Sequence, residues 1–435
     1  MTRLKSLDLI ALGFMTFALF LGAGNIIFPP SAGMAAGEHL GSAALGFLIT
    51  GVGLPLLAVV ALARVGGGMD IMTAPLGRVA GTLFAIAVYL AIGPMFATPR
   101  TAVVSFEMGI APFLGDSQSA LLIYTILYFV VVTLLSLNPG RLVDRVGKFI
   151  TPVLILALLT LGVTALIKPA GPIGSATGRY LEAPLAEGFL QGYLTMDTLG
   201  ALVFGIVITT AIRNRGIEDP RLITRYSIIA GLIAACGLSL VYLSLFYLGA
   251  SSREIAAEAP NGVAILTSYV SHTFGEEGRL LLAVVITLAC LTTAVGLLTA
   301  CGQFFSALLP VSYRAVVLII ALFSLLVSNL GLTQLITVSI PVLVGLYPLA
   351  IVIIALSLAS RCWRSPSRVF IPVMGVALIF GLFDGMAAAG FKEYVPAVIE
   401  SLPLAQHSLG WFVPVLLILV VAVLIDRWLD SSRHR

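Results

Sequence analysis

Residues 192–205 read GYLTMDTLGALVFG, and in this otherwise apolar run Asp197 stands between Thr195 and Thr198. A carboxylate at the centre of a membrane span costs roughly 2.5–3.5 kcal/mol on insertion scales, which makes it a candidate for function. No Lys or Arg lies in the same span to neutralise it. A second stretch, GAGNIIFPP at 22–30, sets Asn25 beside Gly24 and ahead of Pro29 and Pro30. The glycines weaken a helix and let a ligand approach the main chain, while the prolines mark the exit of a second half-helix. An amide beside freed carbonyls offers oxygens to a small cation. The third stretch is LACLTTAVGLLTA at 288–300, with Thr292 next to Thr293. Neighbours on a helix point about 100° apart, so both hydroxyls meet one ion only if it lies in the sector between them. Otherwise each bonds back to the preceding turn.

These residues need a scaffold, and composition says which kind. The chain has 435 residues, 59% hydrophobic and 10% charged, with a mean hydropathy of +1.10. A water-soluble domain is excluded; the chain reads as an all-α polytopic membrane protein, a single transmembrane domain over 1–435. About 20 apolar residues cross the hydrocarbon, and this template predicts twelve spans: 7–30, 41–63, 79–98, 119–137, 148–168, 189–212, 222–249, 280–309, 314–329, 333–358, 368–386 and 409–428. The third can run on as a longer helix through Arg100 and Glu107. The segment 250–279 reads as an acidic external loop.

With both termini in the cytoplasm, 18 Lys/Arg fall inside and 6 outside, loop NPGRLVDRVGK at 138–148 among the inner ones. The positive-inside rule therefore orients the chain. That distribution also accounts for the net charge of +4 without a nucleic-acid partner. Cys236, Cys290, Cys301 and Cys362 show no paired spacing and read as small apolar residues. No nucleophile–base pair, metal-ligand cluster or phosphate loop stands out, so the chain is not expected to be an enzyme.

Irregular backbone at membrane depth persists only inside protein or beside a wet cavity. The two broken spans are the first and the sixth. Five-helix groups that begin on opposite sides of the membrane form an inverted repeat, here 7–168 and 189–358, with 368–428 adding two helices. Such repeats place a site at the midplane, where half-helix N-termini hold an anionic group and half-helix carbonyls hold Na⁺.

The motifs ALGFMTFALFLGAGNIIFPP at 11–30, YLAIGPMFATPRTAVVSFE at 89–107, GYLTMDTLGALVFGIVI at 192–208 and SNLGLTQLI at 328–336 carry a resemblance over nearly the full length. The chain resembles the branched-chain amino acid:cation symporters of the bacterial cytoplasmic inner membrane. More distantly it is similar to the LeuT-type fold, through Gly22-Ala23-Gly24-Asn25-Ile26 and Leu291-Thr292-Thr293-Ala294.

The resemblance implies Na⁺-driven uptake of leucine, isoleucine and valine, with Li⁺ as an alternative cation. It implies that N–H groups near Ala23 and Gly24 receive the substrate carboxylate, with Asn25 and Thr195 at a sodium beside it. A further sodium would lie among Thr292, Thr293 and the carbonyls of Ala18, Leu21 and Ala289. Asp197, with carbonyls near Leu194, would face the substrate ammonium; sodium ligation and protonation stay open for it, since span 7 lacks the asparagine of the distant relatives. Tyr89 is the tyrosine candidate in span 3 for the carboxylate, or else a packing aromatic. Leu194 and Phe204 are candidates for the side-chain pocket. Two other readings remain: a proton-coupled transporter, and a membrane amino-acid sensor that moves no cargo.

Overall fold

The computed structural model describes residues 4–115, 117–137, 151–407 and 409–431. Among these no strand forms, and the membrane-spanning helices follow the apolar stretches: α1 (Ser6–Phe20), α2 (Gly24–Ala36), α3 (Leu40–Leu48), α4 (Leu54–Val65), α5 (Arg78–Leu90), α6 (Ala97–Gly109), α7 (Gln118–Ser136), α8 (Thr151–Ile167), α9 (Pro184–Tyr193), α10 (Asp197–Arg213), α11 (Pro220–Ala250), α12 (Gly262–Leu308), α13 (Tyr313–Ser328), α14 (Leu332–Leu358), α15 (Pro366–Ala388) and α16 (Phe412–Ser431). The first and sixth spans each divide in two, as α1/α2 and α9/α10. The expected loop at 138–148 and the first residues of span 5 lie outside the described residues.

Local chemistry sets the helix starts. Pro184, Pro220 and Pro366 occupy first-turn positions, where the missing N–H costs nothing. Asp219 accepts from the N–H of Arg221 at 2.8 Å and Asn261 from that of Ala264 at 3.0 Å, satisfying donors that have no partner within their own helices.

Close crossings bind the halves together. A Cβ on Gly33 would fall 2.0 Å from the Phe246 carbonyl oxygen, and one on Gly249 would fall 2.0 Å from that of Pro30, so α2 and α11 touch backbone to backbone. The crossing of α9 with α3 has the same form: Gly188 would meet the Ala43 carbonyl oxygen, and Gly46 that of Leu185, each at 2.0 Å. One crossing joins half of span 1 to span 7; the other joins half of span 6 to span 2. Each crossing thus seats one half of a broken span on span 2 or span 7, the pair of spans that also stand five apart. Without a hydrophobic drive between helices in lipid, such small-residue contacts carry the packing.

Two expectations change and a third is met. Pro29 and Pro30 do not end the half-helix but lie inside α2, which continues to Ala36. Their missing N–H groups instead release the carbonyls four residues earlier, at Asn25 and Ile26. Segment 250–279 is not mainly loop, because α12 begins at Gly262 and breaks only at Gly275, with φ 64°. Residues 262–274 fold over α2, burying Val263, Leu266 and Tyr269, with Gly262 against the Ile27 carbonyl. Their apolar residues line only one face, too weak a signal for a hydropathy window to detect. The third span does run on, as α5 and α6, through a π-helical turn at Ala91–Met95 where Gly93 leaves helical geometry.

The two C-terminal helices join the second half. Gly381 of α15 packs on the Gly345 carbonyl of α14. Asp426 of α16, 2% exposed, accepts from the N–H groups of Arg364 at 2.8 Å and Ser365 at 3.0 Å, which lead into α15.

Candidate substrate and ion site

The α1 helix ends at Phe20 because Leu21 and Gly22 leave helical geometry, and its last carbonyls then lack the N–H groups that a continued helix would supply. Thr293 of α12 meets them. Its hydroxyl lies 3.3 Å from the Ala18 carbonyl oxygen, 3.5 Å from Leu19 and 3.2 Å from Leu21. One hydroxyl proton cannot satisfy three acceptors, so this cluster has an excess of hard oxygens at the negative end of a helix dipole. Thr292 donates to the Ala289 carbonyl at 2.8 Å. Of the residues that the resemblance implies for a sodium, Ala18, Leu21 and Thr293 are brought together, whereas Thr292 bonds back to its own preceding turn at Ala289. Their composition fits an alkali cation.

The second break turns on Met196, whose φ of 69° is left-handed, uncommon for a side chain of that size. The turn starts α10 at Asp197, so the carboxylate sits on the positive end of that helix. Thr195 donates to the Gly192 carbonyl at 2.8 Å. The breaks touch each other: a Cβ on Gly24 would fall 2.7 Å from the Thr195 carbonyl oxygen.

Asn25 links them. Its Oδ1 accepts from the Gly22 N–H at 2.9 Å, and its Nδ2 donates to Asp197 Oδ2 at 2.8 Å. The Tyr242 hydroxyl, from α11, donates to the same carboxylate oxygen and accepts from the Asn25 amide. All three side chains are buried. The Asn25 amide oxygen, expected to be offered to a cation, is directed at the Gly22 N–H instead. Sequence reasoning missed Tyr242. Span 7 shows neither a break nor a carboxylate, and the pointer to it was its lack of an asparagine.

These residues enclose a chamber of about 30 Å³, roughly the liquid volume of one water, bounded by Ala23, Asn25, Thr195, Asp197, Phe204 and Thr293 among others. Ala23 and Gly24 stand at the start of α2, where first-turn N–H groups have no intrahelical partner. Phe204 meets Phe20 edge-on, with centroids 6.0 Å apart. Two expected residues are elsewhere. Tyr89 stacks on Phe304, centroids 4.0 Å apart, and lines a separate cavity of about 590 Å³ with Asp70 and Arg78; one turn of α5 separates it from the chamber. Leu194 faces a third cavity, of about 640 Å³, at the opposite end of the bundle.

Arg100, in the extension of the third span, is enclosed by protein. It is 1% exposed, donates to Ser339 Oγ of α14 at 2.8 Å and to the Leu194 carbonyl at 3.4 Å, and lies over the Phe28 ring. It therefore ties the span-6 break to α14 and to α2.

Two broken spans facing each other across a midplane chamber, in an inverted five-helix repeat, define a LeuT-type secondary-transporter fold. Solved structures agree. Mhp1, a nucleobase-cation-symport-1 family transporter in a closed conformation with bromovinylhydantoin bound, matches with TM-score 0.62 over 98% of this chain and 93% of its own, at 15% identity. MhsT in complex with L-phenylalanine matches with TM-score 0.52, over 95% of this chain and 98% of its own, at 16% identity. By sequence, residues 5–429 match the family model described as branched-chain amino acid transport protein, and the chain belongs to that family. It is 72% identical to the branched-chain amino acid transport system 2 carrier protein of Pseudomonas aeruginosa, covering 100% of this chain and 99% of that one. It is 54% identical to the branched-chain amino acid permease BrnQ of Salmonella typhimurium, with 99% of each covered. These relatives are named as carriers and permeases, not enzymes.

Proposed function

We propose that this protein is a Na⁺-coupled symporter that carries leucine, isoleucine and valine into the cell by alternating access. It would lie in a bacterial cytoplasmic membrane with both termini inside. The observation that carries the sodium reading is the Thr293 hydroxyl among the Ala18, Leu19 and Leu21 carbonyls. The first-turn N–H groups at Ala23 and Gly24 receive the substrate carboxylate, and Asp197 with the Thr195 region receives the ammonium. Phe204 bounds the side chain. A chamber of about 30 Å³ is too small for leucine, so substrate enters only when the half-helices part. Because Thr293 holds the α1 break and Asn25 ties that break to Asp197, ion and substrate favour the same arrangement of both breaks. That shared preference is the coupling. In this scheme the 640 Å³ cavity opens outward and the 590 Å³ cavity inward.

One observation favours a proton as the coupling ion: Asp197 is held by two neutral donors, Asn25 and Tyr242. Purified protein in liposomes separates the two. Leucine accumulation under an inward Na⁺ gradient, absent with K⁺, supports the symporter. Accumulation driven only by a pH gradient replaces Na⁺ with a proton on Asp197. Binding without flux under either gradient identifies a sensor.

A further inference from the structure

The 640 Å³ cavity has chemistry beyond that of a simple passage. Tyr193 lines it, is 2% exposed, and its hydroxyl has no hydrogen-bond partner among the described residues. Asp384, near the end of α15, lines the same cavity, and its Oδ2 is buried with no partner among the described residues. Buried polar atoms normally find partners, and two left over in one cavity point to a ligand that supplies donors. Leu194, Ile340 and Val344 form an apolar wall beside them, and Arg179 lines the same cavity.

Consecutive residues also connect this cavity to the chamber. Tyr193 and Leu194 line the cavity, while Thr195, Met196 and Asp197 line the chamber, so the unwound segment of span 6 is the partition between them. A group bound on one side lies a few residues from the site on the other.

We infer that the cavity is a second amino-acid site, where Asp384 and Tyr193 take the substrate ammonium, Arg179 its carboxylate, and the Leu194, Ile340 and Val344 wall its side chain. The inference rests on the proposed function and extends it to an anteroom before the chamber. A bare alkali cation would use the cavity's oxygens but leave the Leu194, Ile340 and Val344 side chains without a role, which an amino acid with an apolar side chain does not.

The test counts bound leucine on purified protein in lipid nanodiscs by equilibrium dialysis, alongside uptake kinetics in liposomes. Wild type is expected to bind two leucines. Asp384→Asn is expected to bind one and to raise the KM for uptake about tenfold, as loss of one charged contact does, with the maximal rate within about twofold. Val344→Trp, which fills the cavity and leaves Asp384 intact, is expected to lose the same leucine; its retained central leucine shows that it folds. Asp197→Asn should keep the outer leucine alone. A single leucine on wild type, lost in Asp197→Asn, overturns the anteroom and leaves the proposed function standing. A shift in Na⁺ half-saturation in Asp384→Asn, with two leucines still bound, also overturns it by assigning the carboxylate to a cation. No leucine on wild type removes the proposed function and the anteroom together.

Discussion

At Leu21–Ala23 the chain leaves its helix through Gly22, and the neighbouring groups that it presents are all neutral: carbonyls to Thr293, N–H groups to the chamber, an amide to Asp197. At Leu194–Met196 it leaves through a methionine at φ 69° and presents a carboxylate. The two breaks occupy equivalent places in an inverted repeat, yet they have divided the chemistry. The first supplies many weak oxygens, suited to a cation that must be released again. The second supplies one charge, and that charge is held by Asn25 from the first break and by Tyr242 from α11. Neither break is a complete site, so in the proposed scheme a ligand at one is felt at the other.

Breaking the charged side should have the largest effect. Asp197→Asn keeps the shape and removes the charge; leucine uptake in liposomes is expected to fall about 100-fold or more, with the protein still inserted. Uptake near wild type would remove the carboxylate from the mechanism. Next is the contact between the breaks. Gly24→Ala puts a Cβ 2.7 Å from the Thr195 carbonyl oxygen, and forcing that backbone contact apart should cost about 1–3 kcal/mol. Uptake should drop about 30-fold, and normal uptake would show that the breaks do not need to touch. The neutral side gives a smaller change with a different signature. Thr292→Ala with Thr293→Ala should raise the Na⁺ concentration for half-maximal uptake about tenfold, leaving leucine KM at saturating Na⁺ nearly unaltered. An unchanged Na⁺ dependence would return both threonines to helix packing. Tyr242→Phe should be mildest: the Asn25–Asp197 bond remains, and leucine KM should rise about fivefold without a shift in Na⁺ half-saturation. A shift in the Na⁺ curve instead would place the ion at Asp197.

Most of the first break and half of the second were legible in the sequence, and for a physical reason. Glycines in a lipid span, and a carboxylate in an apolar one, are costly locally, so their purpose can be sought without knowing the fold. The threonine pair was readable once its span was set beside the α1 carbonyls, because spans 1 and 8 carry recognisable motifs. What stayed hidden depends on crossings between distant helices. Tyr242 is an ordinary aromatic until α11 is laid against α2 by Gly33 and Gly249. Arg100 reads only as a charge in the extension of a long span until Ser339 and the Leu194 carbonyl are seen beside it. Tyr89 was one helical turn from relevance, a distance that period alone cannot resolve. The helix at 262–274 escaped because it lies along the protein surface, where hydrophobicity averages out.

Asp426 has a consequence for how the chain is made. The N–H groups leading into α15 are satisfied by a carboxylate of α16, 62 and 61 residues further along the chain. Synthesis runs from the N-terminus, so α15 reaches the bilayer with that entrance unlatched and is secured only when α16 has left the ribosome. Closure of this end of the bundle therefore waits for α16, and a chain truncated before Asp426 would expose an unfinished helix start to cellular proteases.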